Sequence, residues 1–145
     1  MSLLRFLMLL ALIVWIGGII FFAFVEAPTL FTVLPNARLA GDVVNPTLSK
    51  LHWMGLASGV VFLICSLFYT QLKHGRPKAF AARHIFIVLM LVLTAISQFR
   101  IAPKMRDLRA EMQAVGRLPG DTSRAEFDRL HAWSTRLESG VLLLG

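Results

Sequence analysis

The chain has 145 residues, 57% of them hydrophobic, and a formal net charge of +7, with a mean hydropathy of +0.70. That length suits one domain, and so large an apolar share excludes an ordinary soluble protein and points to a membrane. The basic residues gather where apolar runs end, which matches lipid headgroups and argues against nucleic acid as a partner. A single cysteine, Cys65, excludes an internal disulfide and a cysteine-based metal cluster.

Taken in chain order, residues 3–25 carry one charge, Arg5, whereas residues 53–72 and 85–99 carry none. Each run approaches or exceeds the roughly 20 residues that a bilayer-spanning helix needs. The first run is too long for the apolar core of a signal peptide and is read as a retained anchor. Helix 1 is expected over residues 3–34 with a kink or break at Pro28, where proline removes a donor and crowds the preceding turn. Residues 37–46 read as a short connection, and Asn45-Pro46-Thr47 reads as the cap and first turn of helix 2, residues 47–71.

A tight basic turn, Lys73-His74-Gly75-Arg76-Pro77-Lys78, leads to helix 3, residues 81–115. Beyond the bilayer that helix keeps Met105, Leu108 and Met112 on one stripe, so Lys104 to Met112 forms an amphipathic extension that would lie on the membrane surface or bind a partner. Gly116 to Gly120 breaks it, Asp121-Thr122-Ser123 caps helix 4, residues 123–145, and that helix is short for a full crossing. The expected architecture is all-α: an integral, multi-pass membrane four-helix bundle. The basic turn and the mixed-charge side give conflicting orientation signals, with the reading leaning to cytoplasmic termini.

One motif occurs twice. Phe24-Val25-Glu26-Ala27-Pro28 precedes Leu51-His52, and Phe99-Arg100-Ile101-Ala102-Pro103 precedes Leu130-His131, with a basic residue, Lys50 or Arg129, two places before each histidine. The bundle therefore reads as two repeated helical hairpins, each histidine opening its helix at the same membrane face. Helical spacing places Trp15, Gly18, Phe22 and Glu26 on one stripe, His52, Gly55, Gly59 and Ser66 on a second, His84, Leu91 and Gln98 on a third, and His131, Ser134 or Thr135, and Glu138 on a fourth.

Ionisable groups within a span face the bundle and pair, so Glu26 and Arg100 are expected to form an ion pair, with Gln98 orienting the cluster. The plainer alternative is that this pair staples the hairpins together and does nothing more. His52 and His131 at one leaflet can hold a haem iron, bind copper with Glu26 or Glu138 nearby, or carry protons; alternatively each is an ordinary helix-end residue near the headgroups. His84, at the far end of helix 3, cannot join His52, and the scattered methionines form no copper box. No P-loop, Gly-x-Ser-x-Gly or His-Glu-x-x-His is present, so soluble-type catalysis is not indicated.

Trp15-Ile16-Gly17-Gly18, Glu26-Ala27-Pro28, Leu51-His52-Trp53-Met54-Gly55, Ser97-Gln98-Phe99, Ala102-Pro103 with Leu108-Arg109, and Leu130-His131 together resemble the small membrane family typified by the cisplatin-resistance-associated transmembrane protein. That family is largely a domain of unknown function, similar in architecture to copper-resistance D-type permeases and to the membrane-bound protoporphyrinogen oxidase of haem synthesis. The resemblance implies four helices in a bacterial-type inner membrane and a link to metal or toxic-compound handling. Glu26, His52, Gln98 and His131 fall in its recognisable blocks. The haem-synthesis relatives use histidines in their first and third helices, and helix 1 here has none.

The expected function is a binding or transport component built on this polar cluster. A haem-binding membrane redox protein and a structural or accessory subunit are the alternatives. A bundle of four helices encloses little space, so a homodimer or a partner membrane subunit is expected to complete a transport path.

Overall fold

In a computed structural model the chain is described over residues 2–74, 82–114 and 122–145. The expected basic turn beyond His74, the Gly116–Gly120 break and Asp121 lie outside the described residues. Of the described residues 97% are helical, and they form four rods. The first joins α1 (Ser2–Phe21), a π turn (Phe22–Glu26) and α2 (Ala27–Val33); the second is α3 (Ala37–His74). The third joins α4 (Ala82–Ile96), a second π turn (Ser97–Ile101) and α5 (Ala102–Ala114), and the fourth is α6 (Thr122–Leu144).

Ser2–Val33, Ala37–Lys73 and Ala82–Glu111, with 32, 37 and 30 residues, are each long and apolar enough to cross a membrane. At 1.5 Å per residue they measure about 45–55 Å, against about 30 Å of hydrocarbon, so each projects beyond the bilayer. At one end of the bundle Arg5 Nε donates to the Tyr69 hydroxyl at 3.0 Å and the Arg83 guanidinium donates to Thr70 Oγ1 at 2.8 Å. Glu26 lies about 32 Å along the first rod from Arg5, close to the hydrocarbon thickness. Between these levels Ile13, Ile64, Phe68, Val88 and Val92 face outward, as lipid contact requires.

Each Ala-Pro pair follows a π turn, closed by a bond from Ala27 N–H to the Phe22 carbonyl and from Ala102 N–H to the Ser97 carbonyl. The wider turn gives the proline ring room against the carbonyl that an α-helix would press upon it. The repeated motif thus encodes the same backbone device twice.

The expected connection over residues 37–46 is helical. Asn36 Oδ1 accepts the Leu39 N–H at 2.9 Å, so Asn36 caps the second rod a full nine residues before Asn45, and Pro46 sits inside the helix. His52 consequently lies well inside α3 and does not open a helix.

The core gathers Ala11, Trp15 and Ile19 from α1, Leu51 and Phe62 from α3, Ile87 and Met90 from α4, and Val141 from α6. Lipid is as apolar as leucine, so close packing must hold these rods together, and small residues provide it. Trp15 lies over Gly55 and Gly59, and Leu91 closes over Gly59 from the other side. Cys65 is a buried free thiol.

In the extension after the second π turn, Met105 and Leu108 of the apolar stripe are buried within the chain. Lys104 pairs with Glu126 of α6, while the Arg109 guanidinium covers Gly41, reaches Asp42 at 3.5 Å and stands 5.3 Å over the Phe127 ring. These contacts are partly solvated, so Arg109→Ala should cost only about 1 kcal/mol. It should raise amide hydrogen exchange in α5 about fivefold and leave the α3 amides around Phe62 unchanged.

Candidate functional site

The site begins at His52, which the second rod turns inward, 2% exposed, between the third and fourth rods. Its Nδ1 lies 3.0 Å from Gln98 Oε1, and its Nε2 lies 2.5 Å from Glu138 Oε1. Gln98 in turn donates from Nε2 to Ser49 Oγ at 2.9 Å. Ser49 and His52 stand three residues apart on α3 and so share a face. Gln98 comes from the second π turn, where Ser97, Gln98 and Ile101 point inward.

This network sets the proton positions. Gln98 uses its amide N–H on Ser49, so its carbonyl oxygen accepts from His52, and Nδ1 carries a proton. Nε2 then either accepts from a protonated Glu138 or donates to its carboxylate. The two forms differ by one proton moved along a single short hydrogen bond and are equally neutral as a pair, which lowers the cost of holding both groups inside a membrane protein.

Ser49, His52 and Glu138 of this network line a cavity of about 570 Å³. Ile19, Phe22, Phe31, Leu48 and Met105 make its apolar lining, and Ala27 and Ala102, equivalent positions of the repeat, both border it. Lys50, Arg106 and His131 also border it. Ser97 borders it too; it is 1% exposed, and its hydroxyl has no hydrogen-bond partner among the described residues. His52 is about 25 Å along α3 from Tyr69, which places the site in the leaflet away from Arg5.

Of the six residues expected at a site, the structure brings together His52, Gln98 and Glu138, and places His131 on the rim of the same cavity. Glu26 faces a smaller hollow of about 260 Å³ on the other side of Lys50, beside Gly18 and Met54. Arg100 is exposed, and among the described residues no ion pair joins it to Glu26. The reason is the π turn: with Ser97, Gln98 and Ile101 turned inward, Phe99 and Arg100 are left on the outer side, where Phe99 packs edge-on against Trp53 at 5.6 Å. Ser49 and Ser97 were missed by the sequence reading. Ser49 carries a usable signal, three residues before His52 on the same helical face, once the helix is known to start at Asn36.

A haem or copper centre on His52 and His131 does not fit these residues. Both His52 ring nitrogens are taken, by Gln98 and Glu138, and His131 is exposed and stacked on Phe127, with ring centroids 6.4 Å apart and planes 4° from parallel. Among the described residues no three His, Cys, Asp or Glu side chains gather around one point. His84 shares a 2.8 Å hydrogen bond with Ser66, about 21 Å along α3 from His52, and belongs to the opposite end of the bundle.

Comparison with curated proteins and with solved structures gives no match. The profile of one family matches residues 10–114, from α1 to the end of α5, so Ser49, His52, Ser97 and Gln98 lie within the match and Glu138 beyond it. By that match the chain belongs to the DUF4149 family, a domain of unknown function.

Proposed function

We propose that this protein is a membrane-embedded binding or transport component that takes a small amphiphile into the cavity beside His52. The observation that carries the reading is the placement of the Ser49–Gln98–His52–Glu138 network at the wall of a largely apolar cavity. Polar groups inside a membrane protein are costly and mark ligand or proton paths, and a purely structural staple needs no adjoining cavity. With both His52 ring nitrogens engaged, the second carboxyl oxygen of Glu138 remains to accept a hydrogen bond from a ligand. Handling of a toxic compound, which the resemblance to the cisplatin-resistance-associated family implies, is accommodated if that compound is a small amphiphile. The donor set does not favour a metal cargo. A role as an accessory subunit is less favoured, because Met105 and Leu108 of the α5 stripe are buried within the chain itself.

The test is binding of a neutral solvatochromic dye to the protein in phosphatidylcholine nanodiscs. Saturable binding is expected, weakened at least tenfold by Ala23→Trp and by Ser134→Trp, two independent ways of filling the cavity. Absence of saturable binding, or equal binding by both folded variants, overturns the reading.

A further inference from the structure

We infer that the ligand is an anionic amphiphile, an apolar chain bearing a phosphate or carboxylate head; this rests on the cavity reading above and narrows it to a chemical class. The charges around the cavity are unequal. Among the described residues Lys50, Arg106 and His131 border it against a single acid, Glu138, and that acid is committed to His52. None of the ion pairs among the described residues engages Lys50 or Arg106. Glu26 lies across Lys50 in the neighbouring hollow, but without an ion pair to it.

Lys50 and Arg106 are exposed and border the cavity. The excess of cations there disfavours a cationic amphiphile. An anionic one finds two cations with no competing carboxylate, and an apolar chain has Ile19, Phe22 and Leu48 to lie against.

Ser97 adds a second, independent pointer. Its hydroxyl is buried and unpartnered on the cavity wall, a state that carries an energetic penalty unless an occupant supplies an acceptor. A hydrocarbon chain alone does not supply one. An oxygen close to the head, such as the linkage of an acyl or alkyl phosphate, does.

The experiment uses the dye-loaded protein in phosphatidylcholine nanodiscs and displaces the dye with decyl phosphate, decyltrimethylammonium or inorganic phosphate. Decyl phosphate is expected to act at a concentration at least tenfold below that of the cationic analogue, with inorganic phosphate leaving the dye bound. In Lys50→Gln/Arg106→Gln the preference should fall below twofold, in a variant whose melting temperature shows that it is folded. Equal displacement by both decyl compounds overturns the anionic class and leaves the cavity reading standing. Displacement by inorganic phosphate as readily as by decyl phosphate overturns the amphiphile. A native protein that binds no dye overturns the cavity reading itself, so the two failures are distinct.

Discussion

Glu138→Leu should destabilise the bundle by about 2 kcal/mol, and adding His52→Leu should recover part of that loss. A single truncation leaves the surviving group buried without its partner, a penalty set by desolvation. Membrane reference states dampen such costs, which places the figure below the 3–5 kcal/mol typical of buried pairs in soluble proteins. In the double variant neither group remains to be solvated, and two leucines can pack in the space. The measurement is a double-mutant cycle followed by unfolding in mixed micelles. Additivity within about 0.5 kcal/mol would show that the 2.5 Å contact carries no coupling. Glu138→Gln separates the two proton arrangements. An amide can donate to a neutral imidazole and should cost less than about 1 kcal/mol, whereas an imidazolium deprived of its carboxylate should cost about as much as Glu138→Leu.

His52 and Glu138 could be placed on facing stripes because each lies on unbroken α-helix, and Gln98 because it is only the second residue of its π turn, before the phase slip accumulates. Glu26 and Arg100 could not be placed, for a definite physical reason. Both sit inside π turns, Phe22–Glu26 and Ser97–Ile101, in which each residue advances less than the 100° of an α-helix, so a stripe extrapolated through the turn slips out of phase. The pseudosymmetry of the repeat is nevertheless incomplete. Glu26 aligns with Ile101, not with Arg100, and His52 is buried where its counterpart His131 is exposed.

The start of the second rod was misplaced because two Asn-containing capping signals compete. Asn45-Pro46 matches the usual cap followed by proline, yet Asn36 makes the cap bond, and packing over Ala40 and Gly41 holds the intervening turns in helix. Local propensity is outweighed there by contacts from α5 that no local window contains. The duplicated Ala-Pro pairs do recur at matching places, each directly after a π turn, whereas the Leu-His pairs do not.

Gly55→Ala should cost about 2 kcal/mol although it adds one methyl group and improves helix propensity. A Cβ at Gly55 would stand 2.4 Å from Trp15 Nε1 and 2.8 Å from Cδ1, and the indole, 1% exposed, has no space to retreat into. Relief requires α1 and α3 to separate or Trp15 to leave its rotamer, and overpacking of this kind typically costs 1–3 kcal/mol. Gly17 provides the control within the same stretch of α1, because nothing lies within 4 Å of its added Cβ. Gly17→Ala should therefore be neutral, or stabilising by up to about 1 kcal/mol. Because Ile19, one turn beyond Trp15, lines the cavity, Gly55→Ala should also weaken dye binding while Gly17→Ala leaves it unchanged. Trp15→Phe introduced with Gly55→Ala removes the atoms that clash and should restore both stability and binding in part. Equal stability of the Gly55→Ala and Gly17→Ala proteins in mixed-micelle unfolding would mean that the Trp15 contact does not set the spacing of the first two rods, and the cavity between them would then need another support.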